Sequence, residues 1–145
     1  MDIKGTTSKK LIAYIDRVAE HLGLYELPTF YEIELVKECS SGAGGYCHGD
    51  EDSVYIELAR NDAQGKIPHD QLMVNIAHEM VHAKQIAEGR LVNIGFIFNR
   101  MPNGNKGLAL AWDWEGKRYI NTAYDDHPWE HEAYSLEELI YNACK

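Results

Sequence analysis

Two histidines four positions apart, with a glutamate directly after the first, constrain this chain more than any other feature. They lie in the segment His78-Glu79-Met80-Val81-His82, which has the pattern H-E-x-x-H. An α-helix turns by about 100° per residue, so both imidazoles project from one side and can share a metal ion. Glu79 would then lie close enough to accept a proton from a water at that ion. The pattern indicates the core of a zinc hydrolase, most often a peptidase.

The residues around the motif favour a helix over residues 72–88. One stripe of that helix is polar and has both histidines at its centre, and the opposite side is apolar. The polar stripe contains Gln71, Asn75, His78, His82 and Gln85. The apolar side contains Leu72, Met73, Ile76, Met80, Ala83 and Ala87. The alternative is a solvated polar face that holds two histidines and a glutamate by chance.

The rest of the chain predicts an α+β fold, and its length of 145 residues suits a single domain over residues 1–145. Apolar periodicity predicts helices before and after the motif helix, and alternating patterns predict short strands. The predicted helices are residues 8–22 and 128–143, and the predicted strands are residues 30–37, 53–59, 108–114 and 117–121. Residues 39–52 are rich in glycine and acid and are predicted to form a loop.

Charge and hydropathy exclude several classes of partner. The net charge is −9, with no basic cluster beyond Lys9-Lys10, which argues against nucleic acid as a main partner. No apolar run approaches the roughly 20 residues of a membrane-spanning helix. The first residues alternate charged and apolar side chains, unlike the continuous apolar core of a signal peptide. We therefore expect a cytoplasmic protein that does not contact a membrane.

A catalytic zinc usually has three protein ligands, so the two histidines need a third. A histidine spaced as in H-E-x-x-H-x-x-G-x-x-H is excluded, because Gln85 and Glu88 occupy positions of that extended pattern. The remaining candidates lie on the last predicted helix. Glu132 is about 60° from the centre of its apolar stripe and Glu130 about 100° on the other side. We predict Glu132 as the ligand, with Glu130 and then His131 as alternatives.

At this point the chain resembles a known family. H-E-x-x-H on one helix, followed by a Glu-Ala pair on a later helix, looks like the gluzincin branch of the zincin metallopeptidases. The small size resembles minimal members such as SprT-like and ImmA/IrrE-like proteins. The resemblance implies a zincin fold, Zn²⁺ held by His78, His82 and Glu132, Glu79 as general base, and a protein or peptide substrate. It also implies that the strand at residues 53–59 pairs with the substrate.

Other parts of the site are less specified. Many gluzincins have an acid four positions after the ligand glutamate, but this chain has Leu136 there. Asp113, Asp125 or Asp126 could instead support a zinc-binding histidine. An oxyanion needs a donor beyond the metal, and the candidates are Tyr119, Tyr124, His127 and Tyr134. We select Tyr124 and His127, since both precede the helix that carries Glu132. The absent acid motivates an alternative function, a metal-binding regulatory module with little turnover.

Overall fold

The computed structural model describes residues 1–100 and 102–145, and this part of the chain has an α+β fold of three α-helices and two β-sheets. The helices are α1 (Lys9–His21), α2 (His69–Ala87) and α3 (Pro128–Cys144). Ser8 caps α1 by accepting a hydrogen bond from the Leu11 amide, and Pro128 occupies the first turn of α3. All three predicted helices are confirmed, with ends displaced by a few residues at most.

The first sheet forms one wall of the candidate site. Its strands are β1 (Asp2–Lys4), β2 (Phe30–Glu38), β3 (Gly45–Gly49), β4 (Ser53–Asp62) and the two-residue β5 (Gly65–Lys66). The spatial order is β1-β2-β4-β3, with β5 paired to the end of β4. β1, β2 and β4 are mutually parallel, whereas β3 is antiparallel to β4. Thus β3 is an edge strand, and β4 lies inside the sheet.

Two predictions about this sheet are wrong. Residues 39–52 are not entirely a loop, because β3 forms within them. The segment at residues 53–59 belongs to β4, whose two edges are paired with β2 and β3, so it has no free edge for a substrate. The glycines that suggested a loop allow β3 to approach α2 closely, since a Cβ atom added at Gly45 would lie 2.7 Å from Cγ of Glu79.

The second sheet is an antiparallel meander of β6 (Leu91–Arg100), β7 (Lys106–Trp114) and β8 (Lys117–Ile120). β7 and β8 are the predicted hairpin, and its turn has positive φ at Glu115 and Gly116, 49° and 83°. β6 was not assigned from the sequence. A register shift between Asn93 and Gly95 breaks the simple alternation of its side chains.

Helix α2 lies at the centre of the fold. It packs against α3 on one side and against β3 and β4 on the other. The six apolar residues of its predicted inner face are all buried. His78, Glu79, His82 and Gln85 are buried as well, so the alternative of a solvated polar face is wrong. Within residues 1–100 and 102–145, no helix has the length and hydropathy needed to cross a membrane.

Candidate metal centre

The two motif histidines meet one carboxylate from α3. His78 Nε2 lies 3.1 Å from Glu130 Oε2, and His82 Nε2 lies 3.0 Å from Glu130 Oε1. The two Nε2 atoms are 3.2 Å apart. One turn of α2 separates the histidines, and the packing of α3 on α2 brings in a residue 52 positions after His78. These three side chains form a compact triangle of possible ligand atoms.

The outer nitrogen of each imidazole is held by an oxygen acceptor. His78 Nδ1 donates to Glu137 Oε2 at 2.7 Å, and His82 Nδ1 donates to Gln85 Oε1 at 2.8 Å. Gln85 is itself oriented, because its Nε2 donates to the Trp129 carbonyl oxygen at 3.0 Å. With a hydrogen on each Nδ1, both Nε2 atoms are directed towards Glu130. Such partners fix ring orientation and make a histidine a better metal ligand.

The electrostatics of the triangle favour a cation at its centre. Burial disfavours the charged form of both histidines, but hydrogen bonds and nearby carboxylates outweigh it and raise the pKa of His78 and of His82. Burial likewise opposes ionisation of Glu130, but the hydrogen bonds from the two histidines lower its pKa below the ordinary value. A buried carboxylate facing two imidazoles is stable when positive charge, from protons or from a metal ion, lies between them.

The triangle fits a small tetrahedral ion. Bonds of about 2.0–2.1 Å in a tetrahedral site place neighbouring ligand atoms roughly 3.3 Å apart. The two Nε2 atoms are 3.2 Å apart, and each lies 3.0 to 3.1 Å from a different oxygen of the Glu130 carboxylate. Two imidazole nitrogens and one carboxylate are also a ligand set that zinc uses in hydrolytic sites. His78, His82 and Glu130 are therefore a group that could hold a metal ion of this size.

The preference for Glu132 over Glu130 is wrong in this structure. Glu132 points away from the histidines and forms a two-point ion pair with Arg90, at 2.9 and 2.6 Å. The helical projection ranked the carboxylates by their distance from the apolar stripe of α3 and ignored cations. Arg90 follows α2 directly, and it neutralises Glu132 there. The alternative His131 is also excluded from the triangle, because its Nε2 contacts the Asp125 carbonyl oxygen.

Glu79 faces a cleft beside the triangle. Burial raises the pKa of its carboxyl group, although the two histidines partly oppose that shift. In residues 1–100 and 102–145, no hydrogen bond to the Glu79 carboxylate is found, so its oxygens are available to a ligand. The cleft has a volume of about 520 Å³ and lies between β3, the second sheet and α3. Glu79 is therefore a carboxylate with an elevated pKa that borders a space large enough for a peptide segment.

The two predicted helpers lie on the cleft wall in different settings. Tyr124 is half exposed, and its hydroxyl is 2.9 Å from Glu130 Oε2 and 3.0 Å from the Tyr134 hydroxyl. Burial and these two hydrogen bonds raise its pKa, so it remains a proton donor at neutral pH. His127 is buried, stacks on Trp129 with ring centroids 4.3 Å apart, and uses Nε2 to contact the Thr122 carbonyl oxygen. Their catalytic roles stay predictions.

The supporting residues of the histidines were missed. None of Asp113, Asp125 and Asp126 hydrogen-bonds to His78 or His82 in the part of the chain that the structure describes; Asp113 pairs with Arg118 at 2.8 Å. Glu137 and Gln85 support the histidines instead. Both had a signal in the sequence. Glu137 is two helical turns after Glu130, on the same face of α3, and Gln85 continues the polar stripe of α2.

No protein-family model matches the chain, and neither comparison with curated proteins nor comparison with solved structures finds a match. The resemblance to minimal gluzincins thus stays a prediction that depends on the motif residues.

Proposed function

We propose that this protein is a zinc-dependent metallopeptidase of zincin type, with zinc held by His78, His82 and Glu130. The observation that carries the proposal is the convergence of these three side chains beside the unpaired carboxylate of Glu79. A helix with two buried histidines, a partner carboxylate from a second helix and an adjacent base is the minimal arrangement for hydrolysis by a metal-activated water.

The residues of the candidate site have separate tasks in this proposal. Bound zinc would polarise a water molecule and the substrate carbonyl group. Glu79 accepts a proton from the attacking water and transfers it to the nitrogen of the leaving amine. The Tyr124 hydroxyl is the proposed donor to the developing oxyanion.

The edge strand β3 supports a peptide substrate. Gly45–Gly49 lines the cleft and pairs with β4 on one side only, so its other edge has free backbone donors and acceptors. An extended peptide can add to such an edge through main-chain hydrogen bonds. This binding mode replaces the one that the resemblance implied for residues 53–59, and it brings the peptide backbone past Glu79.

The test combines metal content with cleavage. We expect about one zinc ion per chain by elemental analysis, and cleavage of some members of a mixed peptide library by mass spectrometry. The Glu79→Gln variant should keep its zinc and lose cleavage by at least about 100-fold, because only the proton acceptor is removed. A protein that binds no zinc when the metal is supplied contradicts the proposal. Zinc binding without cleavage would favour the regulatory module with little turnover.

A further inference from the structure

The cleft continues along one face of the β6–β7 hairpin. Residues directly opposite each other in an antiparallel pair project to the same side of the sheet. Trp112 faces Asn93, and both line the cleft. Further along come the pairs Phe96–Leu110 and Phe98–Leu108, whose four side chains form what we call the hairpin strip. The register shift between Asn93 and Gly95 adds one residue to β6, and this places Phe96, three positions after Asn93, on the same side as Asn93.

The hairpin strip begins in the cleft and ends in solvent. Leu110 lines the same cleft as His78 and Glu79. Beyond it, the exposed fractions are 72% for Phe96, 79% for Phe98 and 58% for Leu108. The opposite face of β7 is covered, since Ala109 and Ala111 are buried. The structure therefore exposes a contiguous apolar surface on the side of the hairpin that leads away from the candidate metal centre.

The far end of the hairpin strip is positively charged. Arg100 and Lys106 pair with each other across the strands and are both exposed. Neither forms an ion pair with a carboxylate within residues 1–100 and 102–145. The whole chain has a net charge of −9, so two cations without acidic partners at one tip are a local exception. A ligand that follows the strip outwards meets apolar side chains first and positive charge last.

The size of the strip favours a single extended segment over a second copy of this chain. Whole phenylalanine side chains bury about 150–250 Å², so the three exposed residues offer roughly 300–500 Å². A stable dimer needs about 800 Å² from each partner. Trp112 and Lys106 are six positions apart on β7, a length of about 20 Å, which an extended peptide of similar length can follow.

We propose that the hairpin strip is a docking surface for the polypeptide substrate, which it binds through apolar side chains followed by acidic ones. This inference depends on the proposed peptidase function, because the docked segment is the continuation of the chain in the cleft. The strip adds affinity and selects substrates by sequence outside the cleaved bond.

The test uses the zinc-loaded Glu79→Gln variant, which does not cleave its ligand. The probe is a synthetic peptide with an apolar half of leucine and phenylalanine and an acidic half of aspartate and glutamate. We expect the amide NMR signals of β6 and β7 to shift on titration. Binding should be at least about tenfold tighter than for a peptide with the same apolar half and a basic half.

A double variant and a control variant test whether the peptide binds to the hairpin strip. The double variant Phe96→Ser with Phe98→Ser should weaken binding by at least about tenfold. The control Val92→Ser should not, because Val92 is exposed but lies opposite Asp113 on the other face. Equal binding by the double variant would overturn the inference. So would self-association of the wild-type protein that the double substitution abolishes, since the strip would then bind a second copy.

Measurements on the same preparations separate this inference from the proposed function. Zinc content and library cleavage are recorded for wild-type protein and for the double variant. Hairpin binding without zinc or cleavage would overturn the peptidase proposal, and the strip would then bind a peptide that is not a substrate. Cleavage that is identical in both proteins, with no hairpin signals shifted by the probe, would overturn the docking surface alone.

Discussion

The first turns of α3 present two carboxylates to two different regions of the molecule. Glu130 faces two imidazoles on α2, which can be neutral or protonated. Glu132 faces the guanidinium of Arg90, the residue just before β6. Glu132 receives its counter-charge from a fixed cation of the protein. Among the described residues, no arginine or lysine pairs with Glu130; its carboxylate faces the two histidines and the Tyr124 hydroxyl, so positive charge would come from protons on the histidines or from a bound ion. The carboxylate without a permanent cation beside it is thus the one that a metal ion could bind.

Removing Glu130 and Glu132 separately distinguishes a metal ligand from a carboxylate held in an ion pair. Glu130→Ala should lower zinc affinity by more than about 100-fold, because it deletes a proposed ligand. Glu132→Ala should change zinc affinity by less than about tenfold, since Glu132 contacts the histidines only through Gln85. Competition with a chromophoric chelator measures both. Equal losses in the two variants would contradict the distinction between the carboxylates.

A substitution where β3 approaches α2 tests whether the position of the Glu79 carboxylate matters for cleavage. Gly45→Ala adds a Cβ atom 2.7 Å from Cγ of Glu79 and should displace its carboxylate. A shift of about 1 Å can cost about 100-fold in rate, so we expect cleavage to fall by about tenfold to 100-fold with zinc retained. Gly44→Ala is the matched control, because its Cβ atom would meet the Asn75 amide instead. Similar rates for both variants in the library assay would argue against this role of Gly45.

The outer partner of His78 should have a smaller effect on zinc affinity than the proposed ligand Glu130. Glu137→Gln keeps the shape of the side chain but removes the charge that holds His78 Nδ1. We expect zinc affinity to fall by about 10-fold to 100-fold, the usual range for such partners. Chelator competition measures this loss, and Glu138→Gln is the neighbouring control. If zinc affinity were unchanged in Glu137→Gln, His78 would not depend on this hydrogen bond.

The smallest effect concerns the ion pair of Glu132. Arg90 lowers the pKa of Glu132, so the carboxylate stabilises the folded state above its unfolded pKa of about 4.3. This contribution is lost as the pH falls through the lowered folded pKa. At pH 7, Glu132→Gln should lower the free energy of unfolding by about 0.5–1 kcal/mol, a modest value because both partners are partly exposed.

Urea unfolding at neutral pH and near pH 3 measures this difference. It should shrink at the lower pH, where the wild-type carboxylate begins to take up a proton. A difference that stayed constant between the two pH values would show that packing, and not charge, accounts for the effect of the substitution.

The sequence predicts the helices well because each has a clear apolar period and a recognisable start. Ser8 and Pro128 mark two of those starts. The motif also predicts which two imidazoles converge, since that depends only on local helix geometry. The sequence pattern does not predict β3 or β6. For β6 the reason is the register shift between Asn93 and Gly95, which interrupts the alternation of its side chains. Gly44 and Gly45 indicate a loop by composition, but their role is close packing against α2, which is a long-range contact.

The choice between Glu130 and Glu132 could not be made from helical geometry alone. It depends on where Arg90 and Trp114 lie when α3 packs, and the Arg90 guanidinium is 4.7 Å from the centre of the Trp114 ring. Arg90, Trp114 and Glu132 come from three segments distant in sequence. Glu137 was predictable in principle from its spacing after Glu130, but only once Glu130 was chosen. The wrong choice of Glu132 thus also hides the role of Glu137.

The separation of 52 positions between His78 and Glu130 has a thermodynamic consequence. An ion bound by both would close a long loop that includes the whole second sheet, much as a covalent cross-link does. Binding would thus add to the stability of the native state in proportion to the logarithm of free ion concentration. Chelation would then weaken the packing of α3 on α2. The second sheet, which lies between these helices in the chain, would lose part of its support.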